Sequence, residues 1–260
     1  MKQLMFRFSL VALLLLFGLG SDFYYTPSPT VTSASTMKEL ESKLDQKIRE
    51  QSNEITMEYT GDQKELSADF AKLLRNVFAK DDYTAYILDS YLYTIRTWGS
   101  TAKIKISIKY RETAGQTEQV AAQIKKLLPT IIKPYMTDLQ KIKMIHDWIV
   151  LHVAYDLSLE RYTAYDAIHT GKTVCQGYSL LAYRMLNEAG IEVRIIEGTV
   201  DSGNHVWNLV HIGDTWYHMD VTWDDPIPDR EGKVSYSYFL KNDAQMKKDH
   251  QWVKWYPAAN

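Results

Sequence analysis

Between residues 171 and 226 the spacing of apolar positions changes from a helical to an alternating rhythm. Ser179 to Ala189 is rich in strong helix formers, with apolar residues returning at helical spacing. Gly190 follows where a helix end favours a left-handed residue. Counting back about four turns starts this helix between Thr173 and Gln176. After a strand beginning Gly190-Ile191-Glu192-Val193, the aromatic and β-branched runs His205–Ile212 and Thr215–Trp223 are joined by Gly213-Asp214, a two-residue hairpin signal. With Ile212 opposite Thr215, Trp207 falls opposite Asp220 and His205 opposite Thr222. His205, Trp207, Leu209 and His211 then share a face with Trp216, His218, Asp220 and Thr222.

Upstream the rhythm predicts a separate small unit. Leu40, Leu44 and Ile48 form the apolar stripe of a helix over 37–51. A βαββα series follows: a strand at 55–59, a helix over 66–79, strands at 91–98 and 102–110, and a helix over 118–128. Lys103, Lys105, Ser107 and Lys109 alternate with Ile104, Ile106 and Ile108, as in a strand with one wet face. The tyrosines between Tyr83 and Tyr93 suit sheet packing, or a platform for carbohydrate or peptide. Thr137-Asp138-Leu139-Gln140 has the form of a capping box opening a helix to about His152. A further strand is expected at 236–240, with the Trp252 and Trp255 tail packing back.

These elements divide the chain into a signal peptide (1–20), a disordered Ser/Thr/Pro tether (21–36), an accessory α+β domain (37–133) and a second α+β domain (134–260). Lys2 and Arg7 precede an apolar run from Phe8 to Leu19, which is the form of a secretory signal, too short for a comfortable span. No Ala-x-Ala cleavage site follows, so an uncleaved anchor is the alternative and the one membrane contact expected. Either way the rest of the chain is expected outside the cytoplasm, secreted or at the cell surface.

Composition is ordinary for a globular protein, with 45% hydrophobic and 24% charged residues. Taking the two cations of residues 1–20 from the formal charge of −2 leaves −4, which argues against nucleic acid as a partner. The single cysteine rules out an internal disulfide.

That cysteine, Cys175, falls at or just before a helix N-terminus, where free N–H groups and the macrodipole favour an anion. Such a position is one way to depress a thiol pKa from about 8.5 and keep a nucleophilic thiolate. A lone cysteine is also commonly a small buried apolar residue. His205 and Asp220 change the balance: as diagonal neighbours on one face their backbones lie roughly 7–8 Å apart, a gap the two side chains can close. An aspartate there fixes one ring nitrogen and leaves the other for a thiol. A register slip of one residue would separate them.

Other polar residues weigh less. His146 and Asp147 adjoin on one helix, pointing about 100° apart, which excludes direct pairing and leaves a surface or interhelix contact. His205, His211 and His218 share a face, yet six residues of strand put His211 about 20 Å from His205, too far for one metal ion. No metal and no cofactor is expected.

The order Cys175…His205…Asp220, carried by VCQGYSLLAYRML, a Gly-Ile-Glu-Val strand, HVWNLV and WYHMDVTWDDP, resembles the bacterial transglutaminase-like domain of the papain-like thiol superfamily. The likeness covers about residues 137–226, with weaker echoes to Trp252. Val206 stands where that family usually has a small residue, without mechanistic consequence. The resemblance implies a Cys-bearing helix packed on an antiparallel sheet bearing His and Asp. It also implies Cys175 as nucleophile, His205 as general base and acid, and Asp220 as its orienter. Gln176, Tyr155, Trp207 and Asp224 are the candidate substrate-binding or oxyanion residues, with Asp224 at the cleft rim. The expected reaction is acyl transfer from a protein or peptide amide, cell-wall peptide included. A peptidase or amidase of the same fold and a non-catalytic surface-binding module are the alternatives.

Overall fold

The structure is a computed structural model that describes residues 32–228 and 232–260. The expected signal peptide and most of the tether lie outside the described residues. The chain divides into two compact units, Met1–Tyr110 and Arg111–Asn260.

The first unit contains β1 (Thr32–Ala34), α1 (Met37–Arg49), β2 (Glu54–Tyr59), α2 (Gln63–Phe78), α3 (Asp82–Ile87), β3 (Leu88–Trp98) and β4 (Thr101–Tyr110). Its sheet runs β1-β2-β4-β3, with β1 parallel to β2 and the other pairs antiparallel. The expected tether therefore ends early: Thr32–Ala34 is a strand, and the Thr36 hydroxyl caps α1 by accepting from Glu39 N. Alternation along β4 buries Ile104, Ile106 and Ile108 and leaves Lys103, Lys105 and Lys109 exposed, as its period of two requires. The tyrosines serve packing. Tyr93 meets Phe70 edge-on and Tyr91 meets Phe78, each at 4.9 Å between ring centroids, while Tyr83 is buried.

The second unit contains α4 (Ala114–Ile131), α5 (Asp138–His152), β5 (Ala154–Tyr155), α6 (Ala164–Thr170), β6 (Lys172–Thr173), α7 (Cys175–Glu188), β7 (Val193–Val200), β8 (Gly203–Ile212), β9 (Thr215–Met219), α8 (Val221–Asp224) and α9 (Asp243–Met246). The expected boundary at 133/134 lies inside this unit. The apolar stripe of α4 (Val120, Ile124 and Leu128) is buried, and the helix packs with α5, α6 and α7. Thr137 forms the expected capping box with Gln140 at the start of α5.

The core of the unit is α7. Tyr178, Leu180, Leu181, Ala182, Met185 and Leu186 are all fully buried, the pattern of a helix covered on every side. The antiparallel sheet β7-β8-β9 packs on it, and Ile212 pairs with Thr215 as the hairpin reading requires. Gly190 ends α7 with φ +80.

Two expected strands are shorter or missing. β9 stops at Met219 instead of continuing to Trp223, because the Asp220 carboxylate captures Thr222 N and Trp223 N and turns the chain into α8. Residues 236–240 form turns instead of a strand; the ladder there is reduced to an isolated His218–Lys241 bridge. Within the tail, Trp252 packs on the cluster of Ile196, Trp207, Leu209, Met246 and Ala259, whereas Trp255 is exposed.

Candidate active site

The segment that starts α7 is pinned before Cys175 is reached. Asp156 is the anchor: Oδ1 accepts from Ser158 N, Ser158 Oγ and an Arg161 Nη, and Oδ2 accepts from Glu160 N and Arg161 N at 3.0 Å each. Burial pushes this carboxyl up, but those donors outweigh it and hold it down at about 2. The loop so folded presents Arg161 O, which accepts from Val174 N at 2.9 Å and from Thr173 Oγ1 at 3.1 Å. Cys175 then occupies the first helical position, its N–H outside the intrahelical ladder. Asp156→Ala is expected to destabilise the unit by about 1–3 kcal/mol by removing the charged acceptor that holds the loop together. It should also slow thiol labelling at Cys175. Thermal unfolding and labelling rates check both, and an unchanged melt would show that the loop folds without the anchor.

Gly177 permits the close approach. A Cβ there would lie 1.8 Å from Thr173 Oγ1 and 2.8 Å from Thr163 O, so only glycine fits this turn of α7 against β6 and the start of α6.

The structure brings Cys175, His205 and Asp220 together. His205 Nε2 lies 2.6 Å from Asp220 Oδ2, and Cys175 lies close enough to the same ring to help hold its charge. With Nε2 held by the carboxylate, Nδ1 is the nitrogen left for the thiol. His205 is 5% exposed and Asp220 fully buried, while Cys175 is half-exposed. Burial works against a charged His205, yet the charge and hydrogen bond of Asp220, joined by Cys175, hold it as an imidazolium well above the ordinary histidine range. Burial likewise opposes charge on Asp220, and the two imidazoles of His205 and His250 hold it well below the carboxylate range.

Asp220 reaches His205 as a cap rather than as a strand residue. Its Oδ1 accepts from Thr222 N and Trp223 N at 3.0 and 3.2 Å, which turns Oδ2 toward the histidines. His250, 30 residues further along, places its Nε2 3.1 Å from that same oxygen. Nothing in the sequence marks His250, which sits in an irregular tail; the only available cue is an Asp249-His250 doublet like His146-Asp147 reversed.

The secondary candidates fare differently. Tyr155 pairs with Thr173 across β5–β6 and lies close enough to Cys175 to feel its charge. Burial and that charge push its hydroxyl up to about 12. With Leu157, Arg161 and Lys172 it lines an open cavity of about 460 Å³. Gln176 follows Cys175 on α7 and is buried. Trp207 is corrected: its ring is 1% exposed, sits behind His205, and donates its N–H to His218 Nδ1 at 2.9 Å. It supports the histidine and offers no face to substrate. Asp224 is corrected too. It is fully buried, accepting from Ser235 Oγ (3.0 Å) and Tyr238 N (2.9 Å) and bonding His146 Nε2 (3.2 Å), so it does not form the rim.

His146 also departs from expectation, since its Nδ1 does reach Asp147 Oδ1 at 3.1 Å. The helical offset is bridged because the buried ring lies between the carboxylates of Asp147 and Asp224. Burial opposes its charge, but the two carboxylates outweigh it and raise its pKa. A folded pKa above the unfolded value of about 6.5 gives a contribution complete below that pH and lost as pH rises through the folded value. Denaturant melts across pH should show stability falling above about pH 6.5. The fall should be shallower in His146→Gln, and an identical slope would remove His146 as a cause.

Among the described residues, His205, Asp220 and His250 alone have the spacing of metal ligands, and their ligand atoms are joined by direct hydrogen bonds.

Residues 125–221, which include Cys175, His205 and Asp220, match the model of the transglutaminase-like superfamily. The kyphoscoliosis peptidase of Homo sapiens is 28% identical over 157 residues, covering 51% of this chain and 24% of that protein. The Mus musculus protein of the same name is 27% identical over 154 residues, covering 50% and 23%. The chain thus spans about a quarter of the length of these curated relatives. A solved structure described as a TGase overlays with a TM-score of 0.40 at 12% identity, covering 71% of this chain and 55% of that one. Over residues 125–221 the second unit is thus similar to the transglutaminase-like superfamily.

Proposed function

We propose that the second unit is a thiol-dependent acyl-transfer enzyme acting on protein or peptide amides outside the cytoplasm. The observation that carries this reading is the grouping of Cys175, His205 and Asp220, with a half-buried cysteine at a helix N-terminus and a buried carboxylate hydrogen-bonded behind the imidazole.

The thiolate attacks the amide carbonyl carbon, forming a C–S bond while the carbonyl electrons move to oxygen. The Cys175 N–H, free of the intrahelical ladder, donates to that oxyanion in this reading. As the intermediate collapses, the C–N bond breaks and the His205 imidazolium gives its proton to the departing amine. An amine or water then attacks the thioester and passes a proton to His205. The C–S bond breaks and the thiolate returns. Asp220 stays ionised throughout, holding the ring and its charge.

Export rests on the apolar N-terminal run read from the sequence. Fusing residues 1–36 to a reporter and following its export tests that part, and a reporter retained in the cytoplasm would refute it.

Hydrolysis in place of transfer has one specific support, the peptidase named among the curated relatives. Incubation with a glutamine-bearing peptide and a labelled primary amine separates the two. Label incorporated into peptide means transfer, whereas release of ammonia or cleavage without label means hydrolysis. Neither product, under conditions where Cys175 reacts with a small thiol reagent, would favour a binding module.

A further inference from the structure

The Cys175 site contains a second buried imidazole that the reaction above does not use. His250 is fully buried, ringed by Trp223 (4.5 Å between centroids, edge-on), Trp207 (5.0 Å, edge-on), Tyr238 (5.3 Å) and His205 (5.5 Å). Its Nε2 lies 3.1 Å from Asp220 Oδ2, the oxygen that also holds His205. On the far side, Nδ1 lies 2.7 Å from Asp249 Oδ1, and Asp249 Oδ2 accepts from Tyr238 OH at 2.6 Å. The charged or titratable groups around it are thus Asp220, Asp249, His205 and Tyr238, with His218 close enough to feel its charge.

Four donors therefore saturate Asp220: two backbone N–H groups on Oδ1 and two imidazoles on Oδ2. An ionised carboxylate can only accept, so His250 Nε2 is a donor. Whatever hydrogen-bonding capacity of Oδ2 goes to His250 is not available to His205.

The backbone makes room for this arrangement. Gln251 bridges Thr199 in both directions, at 2.8 and 2.9 Å. This is possible because Gly198, directly opposite His205 on the β7–β8 ladder, has no Cβ. One there would lie 2.1 Å from Gln251 O. The tail is thus locked in place one residue beyond His250.

We propose that His250 is a positioning residue of this site, donating from Nε2 to fix the Asp220 oxygen that His205 uses and to moderate its hold on the His205 ring proton. The proposal rests on the thiol-enzyme reading for its consequence, but the coupling itself is measurable without turnover.

The test compares His250→Asn and His250→Gln in the full chain labelled with [15N]histidine. A glutamine amide reaches the place of the imidazole Nε2 and can donate to Asp220, whereas the shorter asparagine amide falls near Nδ1. In His250→Asn the His205 Nε2–H proton should move downfield, as its bond to Asp220 tightens, and labelling of Cys175 by iodoacetamide at pH 6 should quicken several-fold, because a more firmly held imidazolium keeps more of the thiol ionised. In His250→Gln both should stay near wild type. Should His250→Asn not fold, His250→Phe, which keeps the ring volume without the donor, carries the same comparison. A His205 proton that is unmoved without the donor, or moved equally in His250→Gln, overturns the proposal. Wild-type labelling that is indifferent to His205→Ala would instead sink the thiol-enzyme reading and leave the coupling to be judged on the proton alone.

Discussion

Asp220→Ala is expected to destabilise the second unit by about 3–5 kcal/mol and to abolish rapid labelling of Cys175. The loss has two sources. Oδ1 caps α8 through Thr222 N and Trp223 N, and a lost cap costs about 1–2 kcal/mol by itself. The larger part comes from His205 and His250, which would face each other across a buried gap with no anion between them. Asp220→Asn separates the roles. Its oxygen can keep the cap, but an amide nitrogen cannot accept from His205, so stability should recover in part while labelling stays slow. Urea unfolding and labelling rates read the two effects. A stable Asp220→Ala protein with normal labelling would mean that the carboxylate neither holds the histidines nor matters to the thiol.

Gly177→Ala is the second large effect. A methyl group 1.8 Å from Thr173 Oγ1 and 2.8 Å from Thr163 O cannot be accommodated by turning a side chain alone, because Thr163 O is backbone. Thr173 Oγ1 is also committed to Arg161 O, so the first turn of α7 must move away from β6. Overpacking of this kind costs about 1–3 kcal/mol, and here the displaced residues carry the thiol. Cys175 labelling should fall more than stability does. Adding Thr173→Ala should recover only part of the loss, since the carbonyl contact remains. Wild-type labelling in Gly177→Ala would show that the turn can shift without moving Cys175.

Much of this arrangement was legible in the sequence, and the reasons are local. The helix from Cys175 to Glu188 follows from helix-forming residues and a left-handed glycine, and the β8–β9 register follows from a two-residue Gly213-Asp214 turn. Once that register stands, His205 and Asp220 share a side. What failed depended on tertiary partners. The alternating run after Met219 looks like strand through Trp223, but Asp220 finds two backbone N–H groups within three residues and closes a helical turn instead. Trp207 and Asp224 carry the chemistry of surface recognition, yet each finds a buried partner: Trp207 in His218 on the next strand of the hairpin, and Asp224 in His146, 78 residues away. His250 was invisible for a related reason: its contact with Asp220 spans 30 residues whose sequence has no periodicity to read.

The accessory reading of the first unit depends on less. Its helices and strands follow the apolar rhythm closely, from Leu40 and Leu44 to Ile104 and Ile106. The extent of the second unit was misjudged because α4 looked like the closing helix of the βαββα series, when its buried stripe belongs with α5, α6 and α7.

The central claim is that His205 makes Cys175 a reactive thiol. Because the chain has a single cysteine, iodoacetamide labelling at pH 6, where an unassisted thiol reacts slowly, reads that residue alone. Wild-type protein should label at least about tenfold faster than folded His205→Ala protein at that pH, with the difference shrinking toward pH 9. Equal, slow labelling of the two proteins at pH 6 would contradict the claim and leave Cys175 an ordinary thiol at the start of a helix.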